Sequence, residues 1–253
     1  MAADLEELVA YCDSVLDIGA VEDFSPNGLQ VAGRDRVERV VSGVTACQAL
    51  LDEAVDRGAD LVLVHHGYFW KGEDPVLTGM KGRRIRTLMQ ADMSLVAYHL
   101  PLDRHAELGN NAGLARVLGI TPEAGFGDLG GALIGLGGRL AEAEEPDAFR
   151  KRVERVLDTH ALHVPGHQDT VRRIAVCSGG APDLITEAAA GGYDLYLTGE
   201  SNERVTHAAR ELGIHFLAAG HHATERLGVQ ALGDRLAERF GLEHTFVDIP
   251  NPA

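Results

Sequence analysis

Histidine and carboxylate side chains follow four apolar runs that have the length of β-strands. The polar clusters at the ends of these runs are His65-His66, His99 with Asp103, Gly199-Glu200, and His221-His222 with Glu225. In parallel α/β sheets, ligands bind beyond the carboxyl ends of the strands, so these strand-end side chains are candidates for a binding site. Imidazole is the commonest protein ligand of transition metals, and carboxylates bind divalent cations as well. The pattern predicts a metal site.

Five of these residues are the predicted metal ligands: His65, His66, Asp103, His221 and Glu225. A single histidine after a strand is commonly a hydrogen-bonded structural residue, whereas two adjacent pairs, each supported by a carboxylate, favour an ion. His221 and Glu225 stand four residues apart, so at a helix start both would point to one face. The histidines outside the clusters lack this context and are interpreted as surface or core residues.

The chemistry of the predicted ligands restricts the kind of site. Imidazole and carboxylate without sulfur exclude a thiolate-dominated structural zinc site and favour a catalytic one. Five ligands exceed the needs of one tetrahedral site, which indicates two divalent ions that share a carboxylate. Such a pair can activate a bridging water for hydrolysis. Zinc, manganese, iron and nickel remain open.

A second, weaker signal is the glycine-containing turn Cys177-Ser178-Gly179-Gly180, which lies between a predicted strand and a predicted helix. Its backbone amides could bind an anion at the helix start, but a plain tight turn is the favoured interpretation. No phosphate-binding Walker loop, no nucleophile elbow and no cysteine–histidine nucleophile arrangement stands in the sequence.

A strand–helix–strand pattern occurs twice along the chain. The first set is predicted over 37–45, 46–57 and 60–64, and the second over 173–178, 182–190 and 194–198. Each set has the length of a βαβ unit of a parallel sheet. Aligned at an offset of 134, the two sets share eight identities over positions 39–64, including a Gly-x-Asp-Leu-x-Leu turn. We interpret this as internal duplication.

The expected fold class is therefore α/β, with two α/β/α layered domains related by that duplication and the metal site between them. The glycine-rich stretch 125–138 is the predicted place where the chain crosses from one domain to the other. The predicted first domain comprises 1–125 plus 222–253, and the second comprises 126–221.

Composition narrows the function classes. The formal net charge of -15 argues against binding to nucleic-acid phosphates, because such proteins normally carry a basic face. No apolar run approaches the ~20 residues that span a bilayer, and the acidic N-terminal segment lacks the features of a signal peptide. The three cysteines have no metal-ligand spacing and form an odd number. These features predict a cytoplasmic protein with reduced thiols and no membrane contact.

Several stretches resemble one family over nearly the whole chain. They are LVLVHHGYFWKGE, HLPLDRHAELGNNA, LTGE, AGHHATERLGVQAL and the terminal DIPNPA. The chain thereby resembles the GTP cyclohydrolase 1 type 2 homologues, also called YbgI-like dinuclear metal-centre proteins and related to the Ngg-interacting factors. The resemblance implies two metal ions on the five predicted ligands and a ring-shaped homohexamer. It also implies that His99, Glu200 and His222 lie near the metals, where they could orient ligands or move protons.

The leading hypothesis is a dinuclear-metal hydrolase acting on a small, anionic or nucleotide-like substrate, with His99 and Glu200 as candidate catalytic proton carriers. The family name implies hydrolytic opening of the GTP imidazole ring. A non-catalytic metal-binding or metal-delivery protein is the second hypothesis, and a regulatory scaffold is the third.

Overall fold

The computed structural model describes residues 2–129 and 131–253, which form two compact units. The first unit comprises residues 2–102 and 228–250, and the second comprises 103–227 and 251–253. Over these residues the α-helices are α1 Leu5–Leu16, α2 Gln48–Asp56, α3 Gly79–Gln90, α4 Leu100–Arg104, α5 Asn110–Leu118, α6 Pro146–Leu157, α7 Ile185–Ala190, α8 Glu203–Leu212, α9 His221–Thr224 and α10 Arg226–Phe240. The strands are β1 Ala3–Asp4, β2 Gly28–Val31, β3 Arg36–Val37, β4 Arg39–Thr45, β5 Leu61–His66, β6 Ser94–Ala97, β7 Ile120–Leu129, β8 Ala132–Glu144, β9 Leu162–Val164, β10 Val171–Val176, β11 Leu195–Thr198, β12 His215–Ala218 and β13 Glu243–Phe246.

The first unit is built on a five-stranded sheet in the order β13-β4-β5-β6-β2. Strands β13, β4, β5 and β6 run parallel, and β2 pairs antiparallel with β6 at the edge. The four residues Leu61 to Val64 of β5 are completely buried, as expected for a parallel strand covered on both faces. Helices α2 and α3 contribute Leu50, Leu51 and Leu88 to the core on this sheet. The carboxyl ends of β5 and β6 carry the first set of site residues.

The second unit contains a six-stranded sheet in the order β7-β8-β10-β11-β12-β9. Its central strands β10, β11 and β12 are parallel, whereas β7, β8 and β9 pair antiparallel. The core includes Leu195 and Leu197 from β11 and Phe149 from α6, all fully buried. The α/β fold class predicted from the sequence is confirmed in both units.

The units differ in extent from the domains predicted from the sequence. The predicted boundaries lie at 125/126 and 221/222, whereas the compact units divide at 102/103 and 227/228. Leu114, Leu118 and Ile120 pack into the core of the second unit, so the chain has entered that unit well before residue 125. The glycine-rich stretch predicted as the crossing is instead part of the β7–β8 hairpin. Gly130, within that stretch, lies outside the described residues.

The same backbone contacts occur in both units at an offset of 134. Asp60 accepts the N–H of Arg39 at 3.0 Å and of the preceding residue at 2.8 Å, and Asp194 accepts the N–H of Arg173 and of its preceding residue, both at 2.8 Å. The guanidinium of each arginine donates to the carbonyl of the glycine two residues before its aspartate. These contacts give a physical reason for the shared turn sequence. Internal duplication stays a prediction that they support.

Within the described part of the chain, no helix combines the length and the apolar character that a membrane crossing requires.

Candidate metal centre

Three histidines converge at the carboxyl ends of β5 and β6 in the first unit. His65 and His66 are the last residues of β5, and His99 follows β6 after one intervening residue. One potential ligand atom from each of the three lies within 4.8 Å of the others. The ring centroids are 4.7 Å apart for His65 and His66 and 5.0 Å apart for His65 and His99. We call these residues the first donor group.

Each imidazole of the first donor group is anchored through Nδ1. His65 Nδ1 lies 2.8 Å from the carbonyl oxygen of Tyr98, and His66 Nδ1 lies 3.1 Å from the hydroxyl of Thr45. A carbonyl only accepts, so His65 donates its Nδ1 proton to Tyr98. Outer hydrogen bonds of this kind fix the tautomer and the ring orientation of metal-binding histidines.

His99 is anchored by a carboxylate that sequence reasoning missed. Its Nδ1 lies 2.7 Å from Asp23 Oδ1, while its backbone N–H donates to the side chain of Asn27 at 2.8 Å. Burial raises the pKa of Asp23. The hydrogen bond and charge of His99, and further donors that include Asn27, lower this pKa by more, so it lies below its ordinary value of 3.8. Asp23 is therefore ionised and holds the His99 ring.

A second donor group lies in the second unit and comprises Asp103, Glu225 and His221, with Glu200 beside them. His221 Nε2 lies 3.1 Å from Glu225 Oε1, and His221 Nδ1 lies 2.6 Å from Glu200 Oε1. The contact between His221 and Glu225 confirms the expectation that residues four apart lie on one face here. Carboxylate oxygens of Asp103 and Glu225 approach within 4.8 Å of each other. Both carboxylates are buried, at 5% and 2% exposure.

The two glutamates control the charge of His221. Burial lowers the pKa of His221, but the hydrogen bonds and charges of Glu225 and Glu200 more than offset this and raise the pKa to about 9. His221 therefore balances part of the negative charge of the group at neutral pH. Metal ligation requires the neutral ring, so a cation and a proton compete for it.

The turn 177–180 closely approaches the second donor group. Gly179 has a φ of +66°, and a Cβ at that position would overlap Glu225 Oε1 and lie 3.1 Å from His221 Nε2. At Gly180 a Cβ would lie 3.3 Å from Glu200 Oε2. Glycine is needed because the backbone passes so close to the ligand side chains.

The amides of this turn are used within the protein, in keeping with the plain turn favoured from the sequence. Ser178 N–H donates to Asn111 at 2.9 Å, and Gly179 N–H donates to Thr224 at 3.0 Å. Burial, together with the charges of Asp103 and Glu225, raises the pKa of the neighbouring Cys177 thiol. Cys177 is a neutral, buried side chain.

Three of the other histidines have structural contacts outside the donor groups. His163 and His215 stack on each other in the second unit, and His244 Nε2 lies 2.8 Å from Ser42 Oγ in the first. The backbone N–H of His222 donates to the carbonyl of Ala253 at 3.0 Å. Among the described residues, His222 is in none of the candidate metal-binding groups.

The donor groups fit divalent metal ions. They offer imidazole nitrogens and carboxylate oxygens, which suit zinc, manganese, iron or nickel. In the second group, two buried carboxylates repel each other at short distance, and a cation between such groups offsets that repulsion. Because Gly179 and Gly180 have no side chain, the turn places no Cβ atom against the candidate ligands. Sequence reasoning found the candidate ligands but missed three side chains that hold them: Asp23, which contacts His99, and Asn110 and Ser178, which donate to Asp103. A usable signal was the pair Asn110-Asn111, two amide side chains that follow Asp103 by seven and eight residues.

With this fold and these donor groups, the chain belongs to the Duf34/NIF3 (NGG1p interacting factor 3) family, whose model matches residues 3–252. Two curated relatives carry the name "GTP cyclohydrolase 1 type 2 homolog". The protein from Pseudomonas aeruginosa is 56% identical over 253 residues, with 100% of each chain covered. The protein from Escherichia coli (strain K12) is 49% identical over 256 residues, with 99% of this chain and 98% of that one covered.

Solved structures show the same fold. A structure described as protein ybgI, of unknown function, aligns with a TM-score of 0.95 and 47% identity, covering 99% of this chain and 100% of that chain. A protein from Thermus thermophilus aligns with a TM-score of 0.91 and 36% identity, with the same coverage. The family membership expected from the sequence is confirmed.

Proposed function

We propose that this chain binds two divalent metal ions through His65, His66, Asp103, His221 and Glu225, and hydrolyses a small, nucleotide-like substrate. The observation that supports it best is the arrangement of the imidazoles. His65, His66, His99 and His221 each use Nδ1 for a bond to the protein. This is the arrangement that directs Nε2 toward a metal.

When bound, the ions would lower the pKa of a water molecule and polarise the bond under attack. The chain's own residues have separate tasks. Asp23 holds Nδ1 of His99 at 2.7 Å, so Nε2 of His99 can exchange a proton with a substrate or water near His65 and His66. Glu200 is half exposed and bonds His221 at 2.6 Å, so it can orient that ligand and exchange protons with solvent. His99 and Glu200 stay the candidate catalytic residues.

Nucleotide chemistry is proposed from the names of the relatives, which are called GTP cyclohydrolase 1 type 2 homologs. GTP is therefore the first substrate to test, beside other nucleotides, amides and phosphoesters. The homohexamer implied by the family resemblance is part of the same proposal.

The first experiment measures metal binding. Trp70 is the single tryptophan of the chain, and its ring centroid lies 5.1 Å from His99 and 5.9 Å from His66. Titration of chelator-treated protein with Ni²⁺ should quench tryptophan fluorescence, because an open-shell ion quenches a fluorophore at short range. Elemental analysis of the native protein should give about two metal equivalents per chain.

The matched variants are Asp103→Asn and His221→Ala, with His207→Ala as an exposed control in the same unit. The first two should lose bound metal, and the control should keep it. Wild-type protein that binds no divalent ion would contradict the proposal. If metal-loaded protein hydrolyses none of the nucleotides, amides and phosphoesters, the proposed hydrolase activity is contradicted. The proposed metal ligands are unaffected by that result.

A metal-delivery protein is the alternative, and the partial exposure of His221 and of the neighbouring Glu200 favours it. The side chains of His221 and Glu200 are 28% and 49% exposed, so an ion held there could exchange with an acceptor. Rapid transfer of the ion to a chelator, without turnover of any substrate, would support this alternative.

A further inference from the structure

The carboxylate of Asp103 is held by two side chains from separate parts of the second unit. Asn110, the first residue of α5, donates from Nδ2 to Asp103 Oδ1 at 2.8 Å. Ser178, which follows β10 in the turn before α7, donates from Oγ to the same oxygen at 2.9 Å. Asn110 is fully buried, and Ser178 is 7% exposed. Two donors on one oxygen fix the rotation of the carboxylate.

Asn111 hydrogen-bonds to the backbone of both Asp103 and Ser178. Its Nδ2 donates to the backbone carbonyl of Asp103 at 3.2 Å and to that of Ile134 at 2.9 Å. Its Oδ1 accepts the backbone N–H of Ser178 at 2.9 Å. One buried amide side chain thus connects the backbones that carry Asp103 and Ser178 to the β7–β8 hairpin.

A structural role alone accounts poorly for this network. Burying a charged carboxylate with polar partners is often no more stabilising than packing apolar residues of similar volume. Hydrogen bonds to an ionised acceptor are strong and directional, and a satisfied network holds its members in one geometry. The first donor group has a comparable support, because the hydroxyl of Thr45, the last residue of β4, lies 3.1 Å from His66 Nδ1.

We propose that Asn110 and Ser178 are positioning residues that orient the Asp103 carboxylate for a divalent cation. This inference rests on the proposed function, because it assigns Asp103 as a ligand. Removal of either donor lets the carboxylate rotate and raises the cost of ordering it on the ion. Neither residue needs to touch the ion or the substrate.

The test compares Ser178→Ala and Asn110→Ser with Ser94→Ala, a control at another buried serine. The Oγ of Ser94 accepts the backbone N–H of Gly33 at 2.9 Å, so its loss removes a buried hydrogen bond that involves no candidate ligand. Calorimetric titration with Zn²⁺ should show affinity reduced about 10- to 100-fold in the first two variants. Ser94→Ala should keep wild-type affinity while losing a similar amount of metal-free stability.

The outcomes separate this inference from the proposed function. If Ser178→Ala and Asn110→Ser bind Zn²⁺ as wild type does while Asp103→Asn loses it, the positioning role is overturned and the metal site stands. If wild type and Asp103→Asn bind equally or not at all, both are overturned. Should Ser178→Ala fail to fold, Asn110→Ser alone decides. The Co²⁺ absorption spectrum adds a readout of ligand geometry, which a purely structural loss would leave unchanged in a variant that still binds.

Discussion

At the scale of single residues, the second donor group depends on a position where no side chain fits. Gly179 combines a φ of +66° with direct approach to Glu225 and His221. An L-residue in this left-handed conformation costs roughly 1–2 kcal/mol even in open space. At Gly179 the added carbon would also displace a buried glutamate.

We therefore expect Gly179→Ala to weaken metal binding as well as stability. The free energy of unfolding should fall by more than about 1 kcal/mol, and metal affinity by at least about tenfold. Calorimetric titration and denaturant unfolding measure the two effects.

The control for this variant is Gly72→Ala. Gly72 has a φ of +85°, and a Cβ there would meet no atom within 4 Å, so it carries the same backbone penalty without the overlap. Equal metal affinity in the two variants would show that the glycine at 179 serves only the turn.

Single residues also show what a sequence can and cannot reveal about a site. The histidine pairs could be predicted because they stand next to each other after apolar strands. Asp23 could not, because it lies 76 residues from His99 along the chain and becomes its partner only through folding. The sequence indicates that Ser178 lies in a turn. It does not reveal the hydrogen bond of Ser178 to Asp103, because the two residues are 75 positions apart along the chain.

At the scale of elements, β9 is joined to β12 by a pair of histidines as well as by backbone pairing. His163 Nε2 lies 3.1 Å from His215 Nδ1, and the Gly166 N–H donates to that same nitrogen at 3.1 Å. His215 Nε2 lies 2.9 Å from the carbonyl of Gln168, so its proton is on Nε2 and its Nδ1 accepts. Nδ1 of His215 therefore contacts both His163 and the backbone of Gly166.

The attachment of β9 should weaken in acid. Burial lowers the pKa of His163 below 6.5, and His215 and Arg150 lower it further against an opposing effect of Asp147. The unfolded chain then binds the proton more readily than the folded chain. Stability from neutral His163 is fully present above pH 6.5 and is lost as the pH falls through the folded-state pKa.

The measurement is the free energy of unfolding of wild type and His163→Gln between about pH 8 and pH 5. The free energy of unfolding of wild type should exceed that of the variant by less and less as the pH falls. The exposed His207→Gln is the control for the substitution itself. If this difference in free energy of unfolding stays constant over the pH range, protonation of His163 does not affect the attachment of β9.

Elements with strong periodic patterns were predicted well, and those without were not. Strands β4, β5 and β11 fall within a few residues of the predicted ranges 37–45, 60–64 and 194–198. The sequence predicts a crossing between domains where the structure has the hairpin of β7 and β8, because its glycines and small residues have little local preference for a strand. Its strands are specified by pairing with each other and with β10, which are tertiary contacts.

At the scale of the whole molecule, the contacts repeated at an offset of 134 predict paired effects in the two units. Asp60→Ala and Asp194→Ala each remove an acceptor of two backbone N–H groups. Each should cost about 2 kcal/mol of stability, because the N–H groups lose a charged acceptor. Asp60→Ala should cost more, since Asp60 also bonds Arg34 at 2.8 Å.

Denaturant unfolding followed by circular dichroism measures these losses, with the exposed Asp56→Ala as control. If only one of the two variants is destabilised, the shared turn sequence does not mark equivalent structural positions. Comparable losses would support the internal duplication.

Strand β13 has a consequence for how the chain folds as it is made. Its residues pair in parallel with β4, although they are separated from β4 by about 200 positions and by the whole stretch 103–227. A ribosome therefore releases almost all of the second unit before the first sheet can receive its last strand. Until then one side of β4 is an open edge. Unpaired strand edges can pair with the wrong strand or with another chain. The sheet whose strands begin first along the chain is the one that is completed last.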